Sequence, residues 1–227
     1  MGQVVGKIDV EQASFKPVKE NEKYEIRLYE EAVAVETMYD CKDSNFVETS
    51  ERKKAFQRLA RYIGVFGNPE NEKEEKKSEK ISMTAPVLTS TSSKSEKISM
   101  TAPVVTSTSE NENDDEKLGV MSFILPKEYT IRNAPKPKNP DVYLRPIPSH
   151  HVAAIRFSGN CDDKMAHEKL DELLNYLEED QISLSESALE KKENGKQFWN
   201  LAQYNPPWTL PFARTNDILI PIKFSSN

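Results

Sequence analysis

Two hydrophobic periods organise this chain. Tyr24, Ile26 and Leu28 alternate with polar neighbours between Lys23 and Glu30, the period of two of a strand with one buried face. Ala32 to Met38 reads as a second strand. Phe56, Leu59, Ala60 and Ile63 then fall at i, i+3, i+4 and i+7, which predicts a helix from Glu51 to Ile63, capped by Ser50 and stopped at Gly64. Further on, strands are expected at Val120 to Pro126, Asp141 to Pro146 and His151 to Gly159. A second helix is expected from about Asp163 to Glu179, with Leu170, Leu173, Leu174 and Leu177 on one face and Asp162 and Asp163 at its positive end. A short helix begins near Ser185, followed by Phe198 to Tyr204 and a terminal strand from Asp217 to Phe224.

Between the periodic segments the chain changes character. Pro69 to Lys80 is almost wholly Glu, Lys and Asn, and Thr106 to Lys117 is Ser, Thr, Asn and acid, compositions that bury too little surface to order themselves. A tandem repeat lies here: Ser78 to Lys94 is followed at once by Ser95 to Asn111, each copy carrying Lys-Ile-Ser-Met-Thr-Ala-Pro-Val. Two copies are too few for a solenoid, so they are expected either to pair as a hairpin or to leave one copy looped out.

The pattern also repeats on a larger scale. Ala34-Val35 to Cys41 matches Ala154-Ile155 to Cys161 at an offset of 120, and Phe56, Leu59, Ala60, Tyr62 and Ile63 match Leu170, Leu173, Leu174, Tyr176 and Leu177 at an offset of 114. The 227 residues are therefore expected to form one α+β domain over 1–227, of two pseudo-repeat halves at about 20–126 and 140–224. The antiparallel sheet would have about eight strands, curved or closed, with two helices packed on it.

Composition excludes several functions. A formal net charge of −6 argues against nucleic acid as the main partner, because phosphate neutralisation needs clustered excess Lys and Arg. No apolar run approaches the roughly 18 residues of a membrane span, and the start, Met1 to Ile8, has neither a signal-peptide core nor a transit-peptide bias; Gly6 and Lys7 do not fit a myristoylation signal. A cytoplasmic address is expected, with Cys41 and Cys161 as reduced thiols. His150, His151 and His167 lie in no metalloprotease, deaminase or nucleophile-elbow context, and there is no glycine-rich nucleotide loop.

Two stretches carry candidate chemistry. In this acidic chain the first helix holds Arg52, Lys53, Lys54, Arg58 and Arg61, with positions 54, 58 and 61 in line beside the apolar stripe. Cations beside an apolar face suit a flat ligand with carboxylate edges; a solubilising face is the plain alternative. Tyr204 to Arg214 holds Trp208 and Phe212 in a loop stiffened by prolines, a form that loses little entropy on meeting a ligand. Trp208 could equally close the end of the core.

Several strings together resemble the SOUL haem-binding protein family. They are Lys-Ile-Ser-Met-Thr-Ala-Pro-Val at 80–87 and 97–104, Ala-Gln-Tyr-Asn-Pro-Pro-Trp-Thr-Leu-Pro at 202–211, Tyr-Glu-Ile-Arg-Leu-Tyr at 24–29, Ala-Phe-x-x-Leu-x-x-Tyr-Ile-Gly at 55–64 and Arg-Phe-Ser-Gly at 156–159. The resemblance implies a distorted, mainly antiparallel eight-stranded β-barrel with pseudo-twofold symmetry and two flanking helices. It also implies non-covalent binding of haem and other tetrapyrroles in a shallow apolar cleft, as an intracellular carrier, buffer or scavenger without enzymatic activity. A protein-interaction module on the same fold is the alternative, and a tetrapyrrole-modifying enzyme a more distant one. By position, the implied ligand surface includes Lys53, Arg58, Ala60 and Arg61 on the first helix, Met83 in the first Met-Thr-Ala-Pro copy, and Trp208 in the loop. Thr209 or Leu210 stands where a family lysine is expected, with Arg214 as the candidate substitute. No histidine here corresponds to the iron ligand proposed in some members, so the resemblance leaves axial ligation undetermined.

Overall fold

A computed structural model of the protein describes residues 11–41, 49–73, 77–93, 117–205 and 209–224. Thirteen strands and three α-helices occur among them: β1 (Glu11–Gln12), β2 (Phe15–Glu20), β3 (Glu25–Tyr29), β4 (Ala32–Asp40), α1 (Ser50–Ile63), β5 (Asn71–Glu72), β6 (Thr84–Ala85), β7 (Val87–Ser93), β8 (Lys117–Ile124), β9 (Lys136–Pro137), β10 (Val142–Ile147), β11 (His150–Ser158), α2 (Asp163–Glu179), α3 (Glu186–Glu193), β12 (Asn200–Gln203) and β13 (Thr215–Ile222). Nine strands form one antiparallel sheet in the order β10-β4-β8-β7-β12-β13-β11-β3-β2, curled into a half-barrel with β10 and β2 at its edges. The eight strands expected of the two halves are present, and β2 adds a ninth outside β3. None of the described helices is long and apolar enough to cross a membrane.

The order β10-β4-β8-β7 followed by β12-β13-β11-β3 reads the same from either end once β3 is matched with β10, β4 with β11, β7 with β12 and β8 with β13. Register supports the offset of 120: Ala34 stands opposite Ile124 and Ala154 opposite Leu219, each two residues before a proline, Pro126 and Pro221. The first strand of each half pairs with the other half, β3 with β11 and β10 with β4. The halves therefore interlock.

Period-two alternation sorts the sheet's side chains onto two faces. On one face α1 covers Val33, Val35, Met121 and Phe123 with Leu59, Tyr62 and Ile63, and α2 covers Ala153, Ile155, Ile218 and Ile220 with Leu170, Leu173 and Leu177. Leu59 and Leu173, equivalent at the offset of 114, are both fully buried. Thr49, one residue ahead of the expected cap, accepts a hydrogen bond from the Arg52 amide at 3.2 Å, so Ser50 is the first helical residue. Gly64 ends α1 at φ +85°, a conformation that favours glycine, and a Cβ there would lie 2.7 Å from Pro69 Cγ.

The first copy of the tandem repeat supplies β6 and β7. β7 pairs with β8 along its length and with β12 over Val87–Thr89, so both of its edges are taken there. A hairpin between the two copies across that stretch is excluded; the second copy lies outside the described residues.

Candidate functional site

The basic residues of α1 do three different things, and helical spacing decides which. Arg52 lies seven residues before Leu59, on the apolar stripe, and is only 8% exposed. Its Nη2 donates to Gln203 Oε1 at 2.8 Å and to Thr89 Oγ1 at 3.3 Å, pinning the start of α1 to β7 and β12 at the seam between the halves. Arg58 leaves the helix on another side, where Nε donates to Thr37 Oγ1 at 2.9 Å and Nη2 to Met38 O at 2.5 Å, bracing α1 on β4. Lys53 and Arg61 are exposed, and the nearest carboxylate oxygen to Arg61 is Glu70 Oε1 at 3.8 Å. An ion pair that long between exposed groups is weak.

Apolar surface accompanies these cations. Met83 is half-buried and, with half-buried Phe56, packs on the α1 cluster. Phe56 meets Phe123 edge-on at 5.3 Å between ring centroids. Ala60 is fully buried under the helix. In the loop, Arg214 Nε donates to Thr209 O at 2.9 Å, and Thr209 itself is buried. Leu210 and Phe212 are the loop's exposed apolar residues, Phe212 at 77%. Trp208 lies outside the described residues. The structure thus packs Met83 and Phe56 against one cluster under α1 and joins α1 to the root of the loop through Arg52 and Gln203. Sequence reasoning passed over Arg52 as a seam contact, although its spacing from Leu59 was a signal. It named Leu210 only as standing where a family lysine is expected, and not as exposed apolar surface.

Cys41 and Cys161 are not joined in a disulfide. Burial pushes the Cys161 thiol up to about 12, so it carries no thiolate near neutrality.

The opposite face of the sheet is polar where the halves' carboxylates sit. Asp217, fully buried, accepts from Arg27 Nη1 at 2.7 Å, from Arg156 Nε at 2.9 Å and Nη2 at 3.0 Å, and from Tyr204 Oη at 2.6 Å. Burial alone would raise its pKa, but Arg156, Arg27 and the Tyr204 hydroxyl together hold it below the ordinary carboxylate value. In the first half Glu36 accepts from Ser122 Oγ and Arg145 Nη2, both at 2.7 Å. Next to the Asp217 cluster lies a cavity of about 80 Å³ walled by Tyr29, Leu88, Ile124, Val152 and Leu219. It is smaller than the roughly 150 Å³ void that admits a benzene ring, so a tetrapyrrole does not fit inside it.

His150 borders this cavity, stacked on Tyr29 at 5.9 Å, its Nδ1 donating to Pro148 O at 2.8 Å. Desolvation lowers its pKa and keeps it neutral. His151 packs on Phe224 and His167 on Trp199. Among the described residues no cluster of His, Cys, Asp and Glu could hold a metal ion.

A sequence model described as SOUL heme-binding protein matches residues 10–95 and again 90–221, nearly the whole described chain. The chain belongs to the SOUL heme-binding protein family. The two matches meet inside the tandem repeat, the first spanning the first copy and the second spanning the second. A search of curated proteins finds no match. Among solved structures, a hydrolase from Listeria innocua superposes with a TM-score of 0.52 at 14% identity, covering 90% of this chain and 94% of its own. An uncharacterized conserved protein from the same organism gives 0.53 at 13% identity, covering 89% and 93%. At such identities the likeness shows the shared fold and carries no chemistry across. In this SOUL chain Lys53 and Arg61 are exposed on α1 and Phe56 and Met83 are half-buried against the cluster beneath it, while the cavity lies on the other face of the sheet.

Proposed function

We propose that the protein binds haem or a related tetrapyrrole non-covalently on the α1 surface and serves as an intracellular carrier, buffer or scavenger, leaving the ligand chemically unchanged. The observation that supports this reading is the exposure of Lys53 and Arg61 on the helix that also holds Phe56 and Met83 half-buried, in a chain of net charge −6. A porphyrin has a flat apolar body and two propionates, and such a surface can meet both. Arg58 and Ala60 act beneath this surface, one bracing the helix and the other packing it down, while Trp208 and Arg214 are assigned to the loop side of the ligand. No contact in this reading needs the iron, so metal-free protoporphyrin is a ligand too.

The test is an absorbance titration of the full chain with hemin and with metal-free protoporphyrin IX. A Soret shift saturating at one equivalent is expected for hemin, with comparable affinity for the metal-free ring. Arg61→Glu and Lys53→Glu should each weaken binding by about tenfold, the scale of one charge-assisted hydrogen bond. An unshifted spectrum at micromolar protein, or turnover of metalloporphyrin beyond one equivalent, would overturn the proposal.

A further inference from the structure

The slot that holds β6 and β7 is built from contacts that the second repeat copy could make equally well. Residues 78–92 and 95–109 are identical at 14 of 15 positions, differing only in Leu88 against Val105. The seated copy is fixed at several points. Asn71 donates through Nδ2 to Glu79 O at 2.7 Å and accepts from Glu79 N at 2.8 Å, and Ile81 N donates to Ile63 O at 3.0 Å. Ile81 is buried in the α1 cluster, Thr84 Oγ1 donates to Ile124 O, Ala13 N donates to Ala85 O at 2.8 Å, and Thr89 receives Arg52. Lys138 Nζ reaches Ser78 Oγ at 3.0 Å, and Thr91 Oγ1 meets Gln197 Oε1 at 2.9 Å. Each of these seated residues has an identical residue seventeen positions later.

Chain connectivity permits the exchange. With the first copy seated, six residues (73–78) join Glu72 to Glu79 and twenty-three (94–116) join β7 to β8. With the second copy seated, twenty-three residues (73–95) would precede it and six (111–116) would follow. The loop lengths simply trade places. Because the closure entropy of a flexible loop depends on the logarithm of its length, the summed cost is unchanged to first order. The remaining differences oppose one another. Val105 has one methylene fewer than Leu88 at the cavity wall, whereas Glu110 replaces Ser93 at the register position opposite Lys117, an opposite-charge pair. Each of the two family matches, 10–95 and 90–221, includes one copy.

We propose that the β6–β7 slot accepts either repeat copy, so that the native chain exchanges between two registers seventeen residues apart. The proposal does not depend on the ligand. Exchange puts Met100 in the place of Met83 without altering the α1 surface, and Val105 in the place of Leu88, which enlarges the cavity by a methylene. A small apolar occupant of the cavity would therefore favour the second register.

The test breaks each copy separately in the full-length chain. Ile81→Asp puts a charge into the core if the first copy stays seated; Ile98→Asp does so only if the second is seated. If the registers are comparably populated, abolishing one reduces the folded population about twofold, and each single variant should melt cooperatively within roughly 5 °C of the parent. The double variant should lose cooperative unfolding. In the Ile81→Asp chain the ¹³C-methyl signal of Met100 should take the seated-state shift, the one that Met83 shows in the Ile98→Asp chain. Loss of stability in Ile81→Asp alone equal to that of the double variant, or a Met100 signal in Ile81→Asp unchanged from its shift in Ile98→Asp, would overturn the exchange.

Discussion

The two halves share a backbone plan and differ where they face outward. Leu59 and Ile63 of α1 and Leu173 and Leu177 of α2 occupy equivalent, buried positions over equivalent strands. Beside these residues, α1 carries five cations, Lys53, Lys54 and Arg61 of them exposed, against the single Glu51, whereas α2 carries acids at Asp163, Glu168, Asp171, Glu172, Glu178 and Glu179. At the seam Arg52 has Ala166 as its counterpart, so only α1 reaches across to the other half's strand. On the other face the polarity is reversed: Glu36 is the equivalent of Arg156, and Ser122 of Asp217. A repeated core thus fixes shape twice while leaving the outer chemistry of each half free to diverge.

Substitutions at three kinds of position probe how far the equivalence extends. The largest effect is expected at the buried carboxylates. Asp217→Ala strips the fully buried Arg27 of its main counter-charge and should cost about 3–5 kcal/mol in urea denaturation. Glu36→Ala should cost only on the order of 1 kcal/mol, because the Arg145 side chain it releases is 40% exposed. Since the folded-state pKa of Asp217 is depressed, its contribution is present above the ordinary carboxylate value and is lost as pH falls through the folded value. Asp217→Asn should therefore flatten the acid limb of the stability curve below about pH 4. Equal losses at the two carboxylates would show that the halves share more than their packing.

Next come Leu59→Ala and Leu173→Ala, each expected to lower stability by about 2–5 kcal/mol and by similar amounts. A loss in one half only would mean that the two cores are not equivalent. A smaller effect than at the leucines is expected for Arg52→Ala, about 1.5–3 kcal/mol for a charge-assisted contact to Gln203 and Thr89. Its sharper readout is amide hydrogen exchange, which should rise in β12 and not in β10.

Much of this architecture was legible in the chain. The stripes of both helices, the offset between them and the strand alternation are local patterns, and local patterns survive without an alignment. Leu59 and Leu173 were read as equivalent and are. Less legible was the crossing of β3 onto β11 and of β10 onto β4, because strand partners far apart in sequence leave no local mark. The alternation that put Ile218 and Ile220 on the helix-covered face also put Asp217 on the other, but nothing nearby in sequence announces that Arg27, 190 residues away, meets it there. The cations of α1 were read as a group, and their separation into a seam contact, a brace and three exposed charges depends on which way each side chain leaves the helix.

The crossing of β3 and β10 has a practical consequence for anyone dividing the molecule. A cut in the connector between Pro126 and Val142 yields two pieces, each lacking the strand that completes its own sheet and each carrying the one its counterpart lacks. Such pieces are suited to reconstitution, with assembly of one the condition for order in the other, which is the logic of a split reporter.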